Sequence, residues 1–271
     1  MNPQRGEMRT GLRRGIYVVP TLFTVLNLFF GFRAIVNSLQ GSQAIANGEL
    51  TLATHYFELA CISIFIAAVF DTFDGMIARA LGATSEFGKE YDSLADVVTF
   101  GVAPAVLVYA WGLHVMGKLG AGIAFLHLIG GSLRLARFNV MTGKTDYRYF
   151  VGLPIPAGAM TLASIIFFAP APVTDDRFAI VMLIVTAAVG FAMVSPIRYR
   201  SQKGLVFAKE RSMIYFLAIA AIIAVAYRWP RQFLFGGAVA YLSSGPLMRL
   251  WSIAFPSRKP PAPQQEVIGH G

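Results

Sequence analysis

DTFDGMIARALGATSEFGKEYDSLAD, residues 71–96, places four aspartates (Asp71, Asp74, Asp92 and Asp96) at the end of one apolar run and the start of the next. A carboxylate at the centre of a membrane span costs roughly 2.5–3.5 kcal/mol on insertion scales. Because like charges also repel one another, a positive group must lie among these four. Oxygen ligands in this number suit a hard divalent cation such as Mg²⁺ or Mn²⁺. The stretch therefore predicts a metal site where two membrane helices meet.

The composition of the chain indicates a polytopic helical membrane protein. Of its 271 residues, 56% are hydrophobic and 14% are charged, and the mean hydropathy is +0.59. Apolar runs of about twenty residues recur, which is the length that a helix needs to cross a bilayer. The single cysteine, Cys61, excludes a disulfide within the chain and a cysteine-based metal site. We therefore predict an all-α bundle in a membrane.

The apolar runs predict eight membrane spans with short connections. Only the short stretch that begins with residues 228–231 separates the last two spans, as in a tight helical hairpin. The predicted spans are Val18–Leu39, Tyr56–Leu81, Leu94–Leu113, Leu119–Phe138, Leu153–Pro170, Phe178–Val194, Met213–Tyr227 and Phe233–Trp251.

These spans predict four segments along the chain. A basic N-terminal segment occupies residues 1–17 and precedes a six-helix core over residues 18–211. A C-terminal helical hairpin follows over residues 212–252. We expect the tail, residues 253–271, to be disordered, because it is rich in Pro and Gln.

The distribution of Lys and Arg predicts that both termini face the cytoplasm. Basic residues cluster before the first span and after the fourth and sixth spans, whereas Gln40–His55 contains none. Cytoplasmic connections carry the excess of Lys and Arg, so the connection between Asp71 and Asp96 also faces the cytoplasm. The net charge of +9 is then explained by topology and by contact with anionic lipids. We expect no nucleic-acid partner.

The spacing of the aspartates predicts two carboxylate pairs that face each other across a short turn. Asp71 and Asp74 are spaced i, i+3 on the second span, and Asp92 and Asp96 are spaced i, i+4 at the start of the third. The pairs can hold one or two divalent ions, and two ions about 3.5–4 Å apart suit in-line displacement at phosphorus. A carboxylate that is not fully engaged with metal can accept a proton from an attacking hydroxyl.

Small and basic residues next to the first pair favour a bulky phosphate ligand. Gly75 and Ala78 continue the face of Asp71, and their small size leaves room for phosphates to approach. Arg79 follows Gly75 by one turn, and its planar fork of donors suits phosphate. Two alternatives remain. An ion-coupled transporter usually holds its aspartates near the midplane of broken helices, and a structural metal site requires neither the small residues nor Arg79.

The spacing of these residues also resembles a family signature. Asp71-x2-Asp74-Gly75-x2-Ala78-Arg79-x8-Gly88-x3-Asp92-x3-Asp96 matches every fixed position in the signature of the CDP-alcohol phosphotransferase family of integral membrane enzymes. The resemblance implies that a CDP-linked lipid and an alcohol give a phosphodiester lipid and CMP, with divalent metal, Mg²⁺ or Mn²⁺, as cofactor.

The same resemblance implies residue roles. Asp71, Asp74 and Asp92 ligate the metal ions, with Asp96 beside them as a further ligand and as the catalytic general base. The residues that it assigns to the CDP-lipid site are Gly75, Ala78, Arg79, Ser85 and Gly88.

Three further segments resemble the bacterial phosphatidylserine synthases within that family. They are Pro20–Gly31 in the first span, Gly131–Asn139 in the fourth and Phe150–Gly158 at the fifth. This resemblance implies CDP-diacylglycerol and L-serine as substrates and membrane lipids as surroundings. It also implies a homodimer in a bacterial-type inner membrane, with the active site on the cytoplasmic side. Glycerol 3-phosphate, an inositol compound or choline remains an alternative acceptor.

Polar residues outside the signature have two interpretations each. In one interpretation Arg134 and Arg137 bind the carboxylate of serine or a lipid phosphate. In the other, their long side chains only snorkel, placing the charges at the membrane interface. Asn139 orients one of these arginines or marks the end of the helix. Asn27 and Gly31 line the cavity for CDP-diacylglycerol, or Gly31 only allows close helix packing.

Overall fold

The computed structural model describes residues 3–82, 85–141, 149–196, 198–200 and 224–254, and it is almost entirely helical. A π-helical turn, Val97–Val102, joins α3 to α4, and a 3₁₀ turn, Leu113–Met116, precedes α5. Strands β1 (Tyr149–Val151) and β2 (Arg198–Arg200) form a short antiparallel pair. The helices are α1 (Pro3–Ala46), α2 (Leu50–Ala80), α3 (Glu86–Asp96), α4 (Ala103–Trp111), α5 (Gly117–Met141), α6 (Ile155–Phe168), α7 (Asp176–Val194) and α8 (Pro230–Ala254).

Within the described part of the chain, five helical stretches are long and apolar enough to cross a membrane. The predicted helical class and membrane character are confirmed by these stretches, and the small β pair is an addition that the sequence did not indicate. The stretches are Pro20–Ala46, Leu50–Ala80, Glu86–Trp111, Leu113–Val140 and Asp176–Val194.

The remaining predicted spans have other outcomes. The fifth corresponds to α6, which is apolar but has only 14 residues. Most of the predicted seventh span, Met213–Tyr227, lies outside the described residues, and the eighth lies within α8. The total of eight therefore stays a prediction.

Both predicted terminal segments contribute residues to helices. From Pro3 onwards the basic segment continues into the first span as one helix, α1. This segment contains Arg, Met and Leu, which favour helix. The first two residues of the predicted tail, Ile253 and Ala254, belong to α8, and the rest of the tail lies outside the described residues.

Helices α1 and α2 form a tight hairpin that places the end of α2 beside the middle of α1. Gly48 in the turn has φ +78°, a left-handed conformation that glycine adopts without strain. Gly41 faces Phe57 so closely that a Cβ atom at Gly41 would lie 2.7 Å from the ring. Close contact along the hairpin therefore determines which residues of α1 face the aspartates.

The π-helical turn before α4 has a partner from α5. His127 is fully buried, and its Nε2 atom lies 3.2 Å from the carbonyl oxygen of Phe100 in the turn. A π turn shifts backbone groups out of the regular helical pattern, so a buried side chain that meets such a carbonyl offsets the loss. This contact connects the segment after Asp96 to the core of the bundle.

Helix α8 packs on α2 and α6 through its first residues. Arg231 forms an ion pair with Glu58, and its guanidinium lies 5.2 Å from the centre of the Phe167 ring. Phe235 stacks on Phe168 with ring centres 4.8 Å apart. These contacts attach the C-terminal helix to the bundle.

We expect substitution of Gly130 by Ala to destabilise the protein. A Cβ atom there would lie 2.6 Å from the backbone oxygen of Gly190 in α7, and backbone cannot move aside as a flexible side chain can. Overpacking of this kind costs about 1–3 kcal/mol of unfolding free energy. Thermal unfolding in detergent measures the effect.

Gly122→Ala, in the same helix, is the matched control, because no atom lies within 4 Å of the position that a Cβ atom would take at Gly122. Its unfolding free energy should stay within about 1 kcal/mol of wild type. Equal stabilities of the two variants would contradict close contact between α5 and α7.

Candidate functional site

Three carboxylates meet at the junction of α2 and α3. Asp71, Asp74 and Asp92 each offer an oxygen atom, and these three atoms lie within 4.8 Å of one another. Asp74 is buried, and Asp71 and Asp92 are half-buried. The ion pairs found among the described residues involve none of the three. We call Asp71, Asp74 and Asp92 the carboxylate triplet.

The carboxylate triplet fits a divalent cation. All its donors are oxygen atoms, which suit Mg²⁺ or Mn²⁺. The Oδ1 atom of Asp92 is buried and has no hydrogen-bond partner in the described part of the chain. A buried carboxylate oxygen without a partner is costly, and a cation would satisfy it.

Asp96 lies beside the triplet and outside it. Its side chain is within hydrogen-bonding reach of Asp71, and the residue is only 9% exposed. The Nδ2 atom of Asn27 on α1 donates to Asp96 Oδ1 at 3.5 Å. The structure thus brings the four predicted ligands together. Asp71, Asp74 and Asp92 form the triplet, and Asp96 lies beside it in contact with α1.

Local hydrogen bonds mark the end of α2 and the start of α3. Leu81 donates its N–H to the carbonyl oxygen of Ile77, and Gly82 adopts φ +61° just beyond the helix. Ser85 begins α3 as its N-cap, with its Oγ atom accepting from the N–H of Gly88 at 3.0 Å. These caps direct α3 back towards α2, so that Asp92 faces the end of α2.

A pocket opens next to Asp74 and Asp92 of the triplet. Its basic residues are Arg79 and Lys89, both exposed, which suit a ligand with several phosphate charges. All five residues that the resemblance assigns to the CDP-lipid site line it. The complete lining is Pro20, Thr21, Thr24, Asp74, Gly75, Ala78, Arg79, Ser85, Gly88, Lys89 and Asp92.

Gly75 has a steric role at this pocket. A Cβ atom at Gly75 would lie 3.3 Å from Nη1 of Arg79. A side chain there would therefore require the guanidinium to shift by a few tenths of an ångström.

Asn27 and Gly31 are placed differently from the pocket residues. Neither lines the pocket, and Asn27 is fully buried against Asp96. Gly31 packs against Thr99 so closely that a Cβ atom would lie 2.8 Å from the Thr99 Cα atom. The hydroxyl of Thr99 donates to the backbone oxygen of Asn27 at 3.3 Å. The absent side chain at Gly31 is what lets the π turn approach α1, as the packing interpretation expects.

Of the two arginines on α5, only Arg134 is buried. Its charge interacts with Asp96 and with Tyr241 of α8, and its guanidinium lies 5.9 Å from the centre of the Phe138 ring. Arg137 is exposed. The structure thus brings Arg134, and not Arg137, towards the carboxylates.

Asn139 connects α5 to α3. Its Nδ2 atom donates to the Oγ atom of Ser93 at 2.9 Å, next to Asp92 in sequence. Asn139 therefore contacts α3, the helix that carries Asp92 and Asp96, and this contact takes the place of the predicted contact with one of the arginines.

Three residues near the site were missed by sequence reasoning. Thr24 donates to Asp74, and its spacing of i−3 from Asn27 within an apolar span is a signal that could have found it. Lys89 lies in the signature stretch, at a position that the signature leaves variable. Tyr241 is 107 residues from Arg134 by numbering, and no sequence pattern connects the two.

Comparison with known proteins identifies the family. Residues 17–197 match the family sequence model described as CDP-alcohol phosphatidyltransferase. The chain belongs to this family. Its members depend on divalent metal ions, and the carboxylate triplet is where this chain fits one. Helix α8 lies beyond the matched residues.

Relatives of known name are similar along most of the same region. A CDP-diacylglycerol–serine O-phosphatidyltransferase of Helicobacter pylori is 33% identical over 195 residues, which are 69% of this chain and 74% of the relative. An enzyme of the same name from Bacillus subtilis is 35% identical over 181 residues, 67% of this chain and 89% of the relative. An archaetidylserine synthase of Methanothermobacter thermautotrophicus is 35% identical over 189 residues, 69% and 71% of the two chains.

We expect Asp71→Asn to weaken divalent-cation binding at least about tenfold, or about 1.4 kcal/mol, because the triplet loses one of its charges. Mn²⁺ titration of the detergent-purified protein, followed by electron paramagnetic resonance, measures the dissociation constant. Asp176→Asn, which removes an exposed carboxylate at the start of α7, is the control and should leave the constant unchanged. An unchanged constant for Asp71→Asn would show that the triplet is not the cation site.

Proposed function

We propose that the protein transfers the phosphatidyl group of CDP-diacylglycerol to the hydroxyl of L-serine, giving phosphatidylserine and CMP. The observation that carries this proposal is the pocket in which Asp74 and Asp92 of the carboxylate triplet lie beside Arg79 and Lys89, in a chain of the CDP-alcohol phosphatidyltransferase family. The names of the Helicobacter and Bacillus relatives support serine as the acceptor.

In this proposal Asp71, Asp74 and Asp92 hold one or two Mg²⁺ or Mn²⁺ ions, and Asp96 is close enough to take part. The bound ions would neutralise charge on the diphosphate and so make CMP a better leaving group. Arg79 and Lys89 bind phosphate oxygens at the pocket and add to this neutralisation. Gly75, Ala78 and Gly88 offer no bulk that would exclude the diphosphate.

Asp96 is the general base of the proposed reaction. It takes the proton of the serine hydroxyl, the serine oxygen forms a bond to the phosphorus on the diacylglycerol side, and the bond from that phosphorus to CMP breaks. Asn27 holds Asp96 by its amide group. The pocket lining contains neither His nor Cys, which supports direct displacement without a covalent enzyme intermediate.

Arg134 is the residue that we assign to the carboxylate of serine. A guanidinium can bind a carboxylate through two parallel hydrogen bonds. Its interaction with Asp96 would bring the hydroxyl of a bound serine towards the base. Arg137 is exposed and Asn139 contacts Ser93, so they have less support as acceptor ligands.

The membrane arrangement that we propose follows the distribution of Lys and Arg. Both termini and the pocket face the cytoplasm of a bacterial-type inner membrane, in a protein of eight spans that forms a homodimer. The six-helix core over residues 18–211 carries the site, and a helical hairpin over residues 212–252 follows it in the chain. CDP-diacylglycerol enters from the bilayer, its acyl chains stay in lipid, and serine enters from water.

The purified protein should release CMP from CDP-diacylglycerol when L-serine and Mg²⁺ or Mn²⁺ are present. A panel that also contains glycerol 3-phosphate, inositol, inositol phosphate and choline identifies the acceptor, with CMP measured by chromatography. If CMP is released with another alcohol and not with serine, that alcohol replaces serine as the acceptor. If no alcohol causes release of CMP, the proposed reaction is wrong.

Asp96→Asn should lower turnover by about 10²–10⁴-fold, because the base is lost, while binding of CDP-diacylglycerol changes little. Turnover and lipid binding are measured on the same preparation. Asp176→Asn, which alters an exposed carboxylate at the start of α7, should keep wild-type turnover. Near-normal turnover of Asp96→Asn would remove Asp96 from the role of base.

A further inference from the structure

Helix α1 turns two buried polar side chains towards the aspartates. Thr24 is 5% exposed and Asn27 is fully buried, whereas Leu22, Val25 and Phe29 between and around them are exposed apolar residues. Polar groups inside an apolar span are costly unless they are hydrogen-bonded. The partners of these two side chains therefore indicate what the buried face of α1 does.

The hydroxyl of Thr24 has two acceptors within reach and one proton to donate. Its Oγ1 atom lies 3.1 Å from Oδ2 of Asp74 and 3.3 Å from the backbone oxygen of Pro20, one turn earlier. A threonine in a helix often donates to the carbonyl four residues before it.

Other threonines of this protein show what that local bond looks like when nothing competes. The corresponding distances are 2.8 Å for Thr54 and Thr161 and 2.7 Å for Thr186. At Thr24 the hydroxyl lies 3.3 Å from the local carbonyl oxygen, compared with 2.8 Å at Thr54. The carboxylate of Asp74, at 3.1 Å, is the nearer acceptor for Thr24. The hydroxyl of Thr24 is therefore directed towards Asp74.

We propose that Thr24 is a positioning residue of the cation site, whose hydroxyl orients the Asp74 carboxylate within the triplet. The inference rests on the proposed function only in taking Asp74 as a metal ligand. A donor on one oxygen of Asp74 restricts the rotation of the carboxylate and offsets part of its repulsion with Asp71 and Asp92. Hydrogen bonds of this kind to metal ligands typically change metal affinity about 10–100-fold.

This role connects the first span to the chemistry of the second and third. Thr24 lines the pocket together with Pro20 and Thr21, so α1 forms one wall of the site. A shift of α1 along α2 would move the hydroxyl away from Asp74. The tight hairpin contact of Gly41 with Phe57 holds the two helices in register.

The test compares Thr24→Val, which keeps the shape and removes the hydroxyl, with Thr24→Ser, which keeps the hydroxyl. Mn²⁺ binding to the full chain in detergent is measured by electron paramagnetic resonance, without substrate. We expect Thr24→Val to raise the Mn²⁺ dissociation constant at least about tenfold and Thr24→Ser to stay within about twofold of wild type. The Mg²⁺ concentration for half-maximal CMP release should rise in parallel for Thr24→Val.

Thr186→Val is the matched control. Thr186 is fully buried in α7, and its hydroxyl donates to the local carbonyl oxygen of Met182. Helix α7 contributes no residue to the pocket lining. This variant should bind Mn²⁺ like wild type, and thermal unfolding without metal compares the folding of all variants. If Thr24→Val does not fold, Thr24→Ala replaces it with the same expectation.

Two results would overturn the inference. One is wild-type Mn²⁺ binding by Thr24→Val, and the other is an equal loss in Thr24→Val and Thr24→Ser, which would indicate that the fit of the whole side chain matters and not the hydrogen bond of the hydroxyl. Because metal binding is measured without substrate, these results are independent of the acceptor. If the wild-type protein releases CMP with serine but Thr24→Val binds metal normally, the inference about Thr24 is wrong and the proposed function still stands.

Discussion

The repulsion among four carboxylates at the junction of α2 and α3 is the constraint on which the rest of the structure depends. Asp71, Asp74 and Asp92 approach within 4.8 Å through their oxygens, and Asp96 adjoins Asp71. Such an arrangement is stable in an apolar protein only if donors and cations compensate it. The fold provides donors from α1 and leaves the centre of the triplet suited to a divalent cation. In the proposed reaction, the same charge that is costly for folding would bind the diphosphate through metal ions.

The helices divide the proposed chemistry between two sides of the carboxylates. Helices α1, α2 and α3 form the pocket for the diphosphate, with Arg79 and Lys89 at its surface. Helices α5 and α8 approach from the other side, where Arg134 interacts with both Asp96 and Tyr241. Helix α8 lies beyond the residues that match the family model.

Close helix contacts determine the distances in the site. Gly31 allows the π turn to approach α1, and this approach brings Thr99 to the backbone of Asn27 and Asp96 to its side chain. The ion pair of Glu58 with Arg231 attaches α8 to the helix that carries Asp71 and Asp74. A bundle of apolar helices without such contacts would have no reason to prefer one rotation of each helix, because lipid solvates every apolar face equally well.

The sequence by itself determined the helical class, the family and the residues of each helix that share a face. Helical periodicity predicted that Asp71 and Asp74 share one face, because residues three apart on a helix are neighbours. It could not predict which other helix that face meets. The contact between Asn27 and Asp96 joins residues 69 apart in the chain, and that between Thr24 and Asp74 joins residues 50 apart. Only the packing of α1 against α2 and α3 decided these pairs, since they depend on the rotation and register of whole helices.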